Sequence, residues 1–448
     1  MPAGRALPRA ASRLVSLAAA GVLTLGAIAG MQSCDRYTAA PTGRGEALTL
    51  WYLSSGDHHE KRYADEMVRR YEQAHPGVKV LVTYYNSLDD YLRALQGAVE
   101  GRAVFPDLAR GDQGSHSVDA VIEQGRLLDL TAAATERGWR ARLRPGMLEY
   151  LDRRYTGGTY LIPSRIHLSG VFYNRQVFER LGLGIPASEG EFEALLEGLK
   201  RRGQMPLALS GDTGEQLLHS WYALVNNRLE SLDRPPAEVL DALFAGRPTI
   251  SFDSPPFRLA AEKLREWAGR GYFPRDYQRL SAPEAFDRFL DGEAALYLGL
   301  GGSWAQDRAQ LHPPQFVIGF FPFPPATPGA RATATGAPTG VWQVFKGPRQ
   351  ERAVELIDWM LNPEIVPFML QSQNLPALRV DGVRGLSLAP HVADELAALE
   401  RVELGIFYDN ASPSLRSEMR QGLRRVVEGE MPARRFLAEV EAAFQQDR

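Results

Sequence analysis

From Leu48 to Gly101 the apolar residues switch repeatedly between two spacings, and that switching restricts the fold more than any other feature of the chain. Leu48-Thr49-Leu50-Trp51-Tyr52-Leu53 is a short β-prone run, after which Tyr63, Met67, Val68 and Tyr71 recur at helical spacing. His75-Pro76-Gly77 stops that helix, Val78–Thr83 reads as a second strand, and Leu88, Leu92, Leu95 and Val99 predict a second amphipathic helix ending near Gly101. Strand, helix, strand, helix implies an α/β fold with a parallel sheet and right-handed crossovers. Phe105–Ala109 is predicted as the next strand, followed by the polar loop Gly111-Asp112-Gln113-Gly114-Ser115. Ligands of open α/β sheets sit beyond the carboxyl ends of the strands, so Ser54, Ser55, Asp57, Asp112 and Gln113 become candidate contacts.

Further along, Tyr155–Pro163 has the pattern of a hairpin, and Ser169–Tyr173 begins a strand leading into a helix at Val177–Leu181. A hinge is expected between them, at Ser164–Leu168. Helices then dominate to about Glu293, with breaks at Pro235-Pro236 and Pro255-Pro256. Ala294–Leu298 reads as a strand that Gly299-Leu300-Gly301-Gly302-Ser303-Trp304 turns into a helix. The segments Phe321–Pro328 and Gly329–Gly340 read as loops before a strand at Val341–Phe345, and the remainder is mostly helical.

The amino terminus has the layout of a secretory signal: Arg5, Arg9 and Arg13 precede an uncharged apolar run from Leu14 to Met31. Met31-Gln32-Ser33-Cys34 follows, and Cys34 is the chain's one cysteine, so an internal disulfide is impossible. A small residue directly before such a cysteine resembles a bacterial lipobox, which implies removal of residues 1–33, lipidation of Cys34 and a membrane anchor on an extracytoplasmic protein. Asp35 resembles the signal that keeps such lipoproteins at the inner membrane of double-membraned bacteria. Residues 34–46, with Pro41, Gly43 and Gly45, read as a tether. The remaining ~400 residues are enough for two or three domains. A net charge of −3 argues against nucleic acid as a partner.

Several ordered stretches carry a family resemblance: Arg69–Val80, Phe105-Pro106-Asp107, Phe172–Phe178, Ser251–Pro255, Gly292–Ala295, Gly302-Ser303-Trp304 and Ala353–Glu364. In this order they resemble the family 1 extracellular solute-binding proteins, the carbohydrate-binding components of bacterial ABC importers. The resemblance implies a bilobal, type II periplasmic-binding-protein-like fold, with ligand held between two α/β lobes that close about hinge strands. It also implies a monomer without catalytic activity, metal or cofactor, whose partners are a sugar-like small molecule and ABC permease subunits. On this basis the expected boundaries are lobe 1 over 47–164, lobe 2 over 165–298, a return to lobe 1 over 299–362, and lobe 2 again over 363–448.

Sugar recognition needs flat apolar faces for C–H surfaces and polar groups for hydroxyls. Gly302, Ser303 and Trp304, at a glycine-rich turn, and Trp342, opening the strand after Gly340, stand where the family borders its cleft. Trp221 is a further candidate on a helix of the second lobe. His167 occupies a place where the family commonly presents an acid or amide, and Arg165 beside it is suited to clamping a carboxylate or phosphate. Tyr408 and Arg416 lie where the family brings one more contact. A secreted glycoside hydrolase is the rival class, yet nothing singles out Asp57 and Asp112 as the paired carboxylates it requires. Asp57-His58-His59-Glu60 reads as the opening of a solvated helix more readily than as a metal site. The same fold feeding a signalling partner is the third reading.

Overall fold

The computed structural model describes residues 47–448, apart from 55–57, 112–115, 154–156, 230–233, 245–248, 301–302, 373–374, 381–384, 406–410 and 447–448. The calls at Cys34, Ser55, Asp57, Asp112, Gln113, Gly302 and Tyr408, with the signal and tether, lie outside the described residues.

Ten strands are described: β1 Ala47–Leu53, β2 Lys79–Tyr85, β3 Leu108–Gly111, β4 Arg165–Asn174, β5 Met205–Ala208, β6 Ala294–Leu300, β7 Ile318–Phe321, β8 Thr333–Thr339, β9 Val341–Val344 and β10 Glu403–Gly405. They form two sheets, one in each lobe. The first runs β2-β1-β3-β9, with β1 and β3 parallel and β9 antiparallel to β3. The second runs β10-β8-β4-β6-β5, with β7 also on β4.

Each lobe follows from its pattern. Tyr63, Met67, Val68 and Tyr71 form the buried stripe of the helix His58–Ala74, which packs with Leu50, Leu108 and Val344 against one face of the first sheet. Tyr91 and Leu95, from the helix Leu88–Val99, cover the other face with Ala109 and Phe345. In the second lobe Phe192, Trp221, Phe257, Trp267 and Phe436 fill one side of the sheet, while Phe172, Phe286, Phe289 and Phe320 fill the other. The bilobal α/β architecture is the one the sequence led us to expect.

The places where the chain changes lobe differ from expectation. Ile162 exchanges backbone bonds with Trp342 of the first sheet, and Arg165 already pairs with Thr339 of the second. The return does not occur at Leu298–Gly301, because β6 pairs with β4 and β5 inside the second sheet. It occurs at Gly340, between β8 and β9. Nor does a crossing fall near Asn362: the flanking helices Gln350–Met360 and Val366–Gln371 both sit in the first lobe's core. The chain instead lies along the hinge at Leu375–Leu378, where Leu375 accepts from Ile166 N and Ala377 donates to Ser164 O, before entering the second lobe at the helix Pro390–Leu399.

The misplacement has a physical cause in β8, Thr-Ala-Thr-Gly-Ala-Pro-Thr, whose small residues, glycine and proline suggest a loop. The small side chains are needed because neighbours approach closely: a Cβ on Gly336 would lie 2.5 Å from His167 O. Buried amides complete the strand, with Asn226 Nδ2 donating to Thr335 Oγ1 at 2.9 Å and Asn227 bonding both Thr333 N and Thr333 O. Gly340 itself takes φ 58°, and a Cβ there would lie 2.4 Å from the Arg110 guanidinium. The hairpin expected at Tyr155–Pro163 is not formed; Ile162 makes an isolated bridge, and the described residues around it are not strand.

Candidate functional site

Strand register sets the floor of the site. Tyr52, Arg110 and Trp342 are mutual partners across β1, β3 and β9, so their side chains share one face at the carboxyl ends of the two parallel strands. Glu60, in the first turn of the helix His58–Ala74, drops onto this row. It accepts from Tyr52 Oη at 3.1 Å, pairs with Arg110 Nη2 at 3.3 Å, and forms an ion pair with Arg165 at the start of β4. Arg110 stacks over the Tyr52 ring at 4.8 Å and donates through Nη1 to Leu53 O at 2.8 Å. Glu60, Arg110 and Arg165 are all buried, so the shared carboxylate holds charge that the interior would otherwise expel. Burial also pushes the Tyr52 and Tyr63 hydroxyls well above the usual phenol range, which keeps both neutral.

The second lobe meets this floor through histidines. His167 is two residues beyond Arg165 on β4 and therefore faces the same way. Desolvation lowers its pKa to about 4, against the pull of Glu60, with Arg110 and His219 adding to the depression. His219, on the helix Glu215–Leu229, is lowered to about 3 by burial and by the charge of Arg416. Its Nε2 lies 3.6 Å from Glu215, which pairs with Arg420 at 3.1 Å. The charges of Glu60 and Arg110 in one lobe are thus felt at His167, and that of Arg416 in the other at His219, with both imidazoles neutral and each able to donate one hydrogen bond and accept another.

A pH dependence follows. Unfolded imidazoles take up protons near pH 6.5, whereas His167 and His219 stay neutral down to about 4 and about 3. The unfolded state therefore binds more protons in that window, and stability should fall as pH drops from about 6.5, by up to about 1.4 kcal/mol per pH unit for each imidazole. Urea melts at successive pH values check this, and His167→Gln should flatten the dependence between pH 6.5 and 4.

Several candidates are placed differently from expectation. Ser54 is buried at the end of β1, its hydroxyl donating to Tyr85 O at 3.2 Å and to Asn86 Oδ1 at 3.4 Å, so it ties two strands instead of lining a cleft. Trp221 is fully buried in the second lobe's core with its Nε1 donating to Phe257 O at 2.9 Å. Arg165 is not an open clamp, because Glu60 already holds it. Trp342 is 1 % exposed and packs edge-on against Tyr52, with no protein partner for Nε1 among the described residues. Ser303 and Trp304 open the helix Ser303–Leu311, and their side chains lie outside the description. Sequence reasoning missed Arg110 and His219, which carry no local motif, and read Glu60 as part of a solvated helix opening where the structure buries it.

Two lobes, three segments along one hinge and a polar seam between the lobes define a two-lobed solute receptor. Residues 55–367 match the family described as bacterial extracellular solute-binding protein, and the chain belongs to that family. It is 26% identical over 173 residues to the multiple sugar-binding protein of Streptococcus mutans, a match covering 37% of this chain and 38% of that relative. Among solved structures it is similar to apo RafE from Streptococcus pneumoniae, with TM-score 0.73 and 18% identity over 90% of this chain and 99% of that one. It is also similar to a Bacillus licheniformis sugar transporter protein solved with stachyose, with TM-score 0.66 and 16% identity over 90% of this chain and 100% of that one. At these identities the structural likeness is one of fold.

Proposed function

We propose that this protein is an extracytoplasmic receptor, lipid-anchored through Cys34, that captures a sugar or sugar-like ligand between its lobes and delivers it to an ABC importer. The observation that carries the reading is the seam itself: in a member of a solute-binding family, Glu60 of the first lobe pairs with Arg165 of the second, and His167 follows two residues along the same strand. The sugar assignment draws on the stachyose-bound structure and the multiple sugar-binding relative. Neutral imidazoles suit hydroxyls, which need donors and acceptors without charge. The candidate contacts are His167, His219 and Arg416, together with Ser55, Asp57, Asp112, Gln113, Gly302, Ser303, Trp304 and Tyr408.

Calorimetry against neutral oligosaccharides, polyols, sugar acids and glycerol phosphates tests the ligand class. One ligand should bind at micromolar strength or better, and His167→Ala should weaken it about tenfold, the loss of one or two hydrogen bonds. Silence across the whole panel would sink the reading. For the anchor, metabolic labelling with a palmitate analogue should mark the chain, and Cys34→Ser should abolish the label.

A further inference from the structure

A second inter-lobe feature lies behind the hinge. Side chains alternate along β4, so Ile166 points away from the face that Arg165 and His167 present to the seam. On the Ile166 side is a cavity of about 510 Å³, lined by Arg144, Met147 and Arg153 from the first lobe and by Glu238, Glu400 and Leu404 from the second. Two ion pairs join the lobes there, each with an arginine that lines the cavity. Arg144 Nη1 meets Glu400 Oε1 at 2.6 Å, and Arg153 Nε meets Asp241 Oδ2 at 3.1 Å. Arg144 is also fixed to the hinge itself, its backbone N donating to Ala377 O and its Nε to Pro376 O. At the front, in the same structure, the helices His58–Ala74 and Ser303–Leu311 meet across the lobes.

We propose that Arg144–Glu400 and Arg153–Asp241 form a clasp behind the hinge that stabilises the front-shut arrangement of the lobes before any ligand binds. The inference rests on the reading that the lobes rotate about the hinge strands. Rotation that parts the front helices drives the rear flanks together. Pairs already at contact distance cannot shorten, so they must slide out of register. Interactions made in one arrangement and lost in the other bias the equilibrium towards the first.

The test needs no sugar. Spin labels are placed at Val104→Cys and Leu311→Cys, which are 87% and 78% exposed on the first and second lobes, in the full chain carrying Cys34→Ser, and the inter-label distance distribution is measured by double electron–electron resonance. Combining Glu400→Gln with Asp241→Asn should raise the long-distance population about three- to tenfold, the scale of two partly exposed ion pairs, and 1 M NaCl should do the same to the parent protein. Arg331→Gln is the control. It lines the same cavity but bonds Arg401 O and Val402 O within its own lobe, so its distribution should match the parent. In the Glu400→Gln background, exchanging Arg153→Asp with Asp241→Arg should keep more of the shut population than Asp241→Asn does. An unchanged or shortened distribution in the double variant, or an equal shift in Arg331→Gln, overturns the clasp. Repeating the measurement with the calorimetric panel separates the two failures: a sugar that shuts the lobes while the variants do nothing removes the clasp and leaves the receptor.

Discussion

Glu60→Gln should destabilise the protein by about 3–5 kcal/mol, the range expected when one partner of a buried ionic cluster is neutralised. Glutamine keeps the shape and can still accept from Tyr52 Oη, so the loss isolates the charge that Arg110 and Arg165 share. Both guanidiniums stay protonated at any accessible pH and cannot escape by losing a proton. The damage should reach the hinge as well, because Arg165 opens β4 and Arg110 packs against Gly340 at the return crossing. Urea unfolding followed by tryptophan fluorescence measures the effect. A loss below about 1 kcal/mol would show that the cluster is solvated in practice and that its charges are not mutually held.

The legible part of the fold was the part in which burial alternates cleanly. β1 alternates between half-buried and buried residues and the helices His58–Ala74 and Leu88–Val99 each carry one apolar stripe, so β1, the helix after it, β2 and the next helix stand close to where periodicity puts them. The second sheet hides its last long strand, because β8 is held by buried asparagines and close backbone approach, not by large β-branched side chains. Those contacts come from Asn226 and Asn227, more than a hundred residues away, and no local window contains them. The glycines Gly299, Gly301 and Gly302 in the sequence after Leu298 resemble a lobe exit, whereas β6 stays within the second sheet.

The site shows the same division. His167 could be found through the family resemblance, which implies an acid or amide contact at that place, and the strand that the structure puts there sets its direction. Glu60 could not. A carboxylate in the first turn of a helix is ordinarily solvated and favoured by the helix dipole, and what buries this one is Arg165, which a different sheet brings to it. His219 lies on a helix whose residues are buried nearly all round, so periodicity assigns it no face. Two arginine–carboxylate groups, Glu60 with Arg110 and Arg165 across the lobes and Glu215 with Arg420 within the second lobe, then lie beside the imidazoles. Ligand hydroxyls entering between them would meet groups already fixed in place, so little side-chain ordering remains to oppose binding.

Trp221→Ala should cost about 3–5 kcal/mol of stability while leaving ligand affinity within about twofold of the parent. The indole sits within 5.2 Å, 5.6 Å and 5.7 Å of the Tyr222, Phe436 and Phe257 rings, centroid to centroid, and removing it opens a cavity that these rings, anchored on separate helices, cannot close. Phe257 O would also lose the donor it has in Trp221 Nε1, which adds to the loss. Trp304→Ala should do the reverse, weakening ligand while sparing stability, if the helix start at Ser303 presents its aromatic to the seam. Measuring both variants by urea unfolding and calorimetry separates a core tryptophan from a ligand-facing one. A Trp221→Ala protein as stable as the parent but unable to bind would return this residue to the ligand site and contradict its burial.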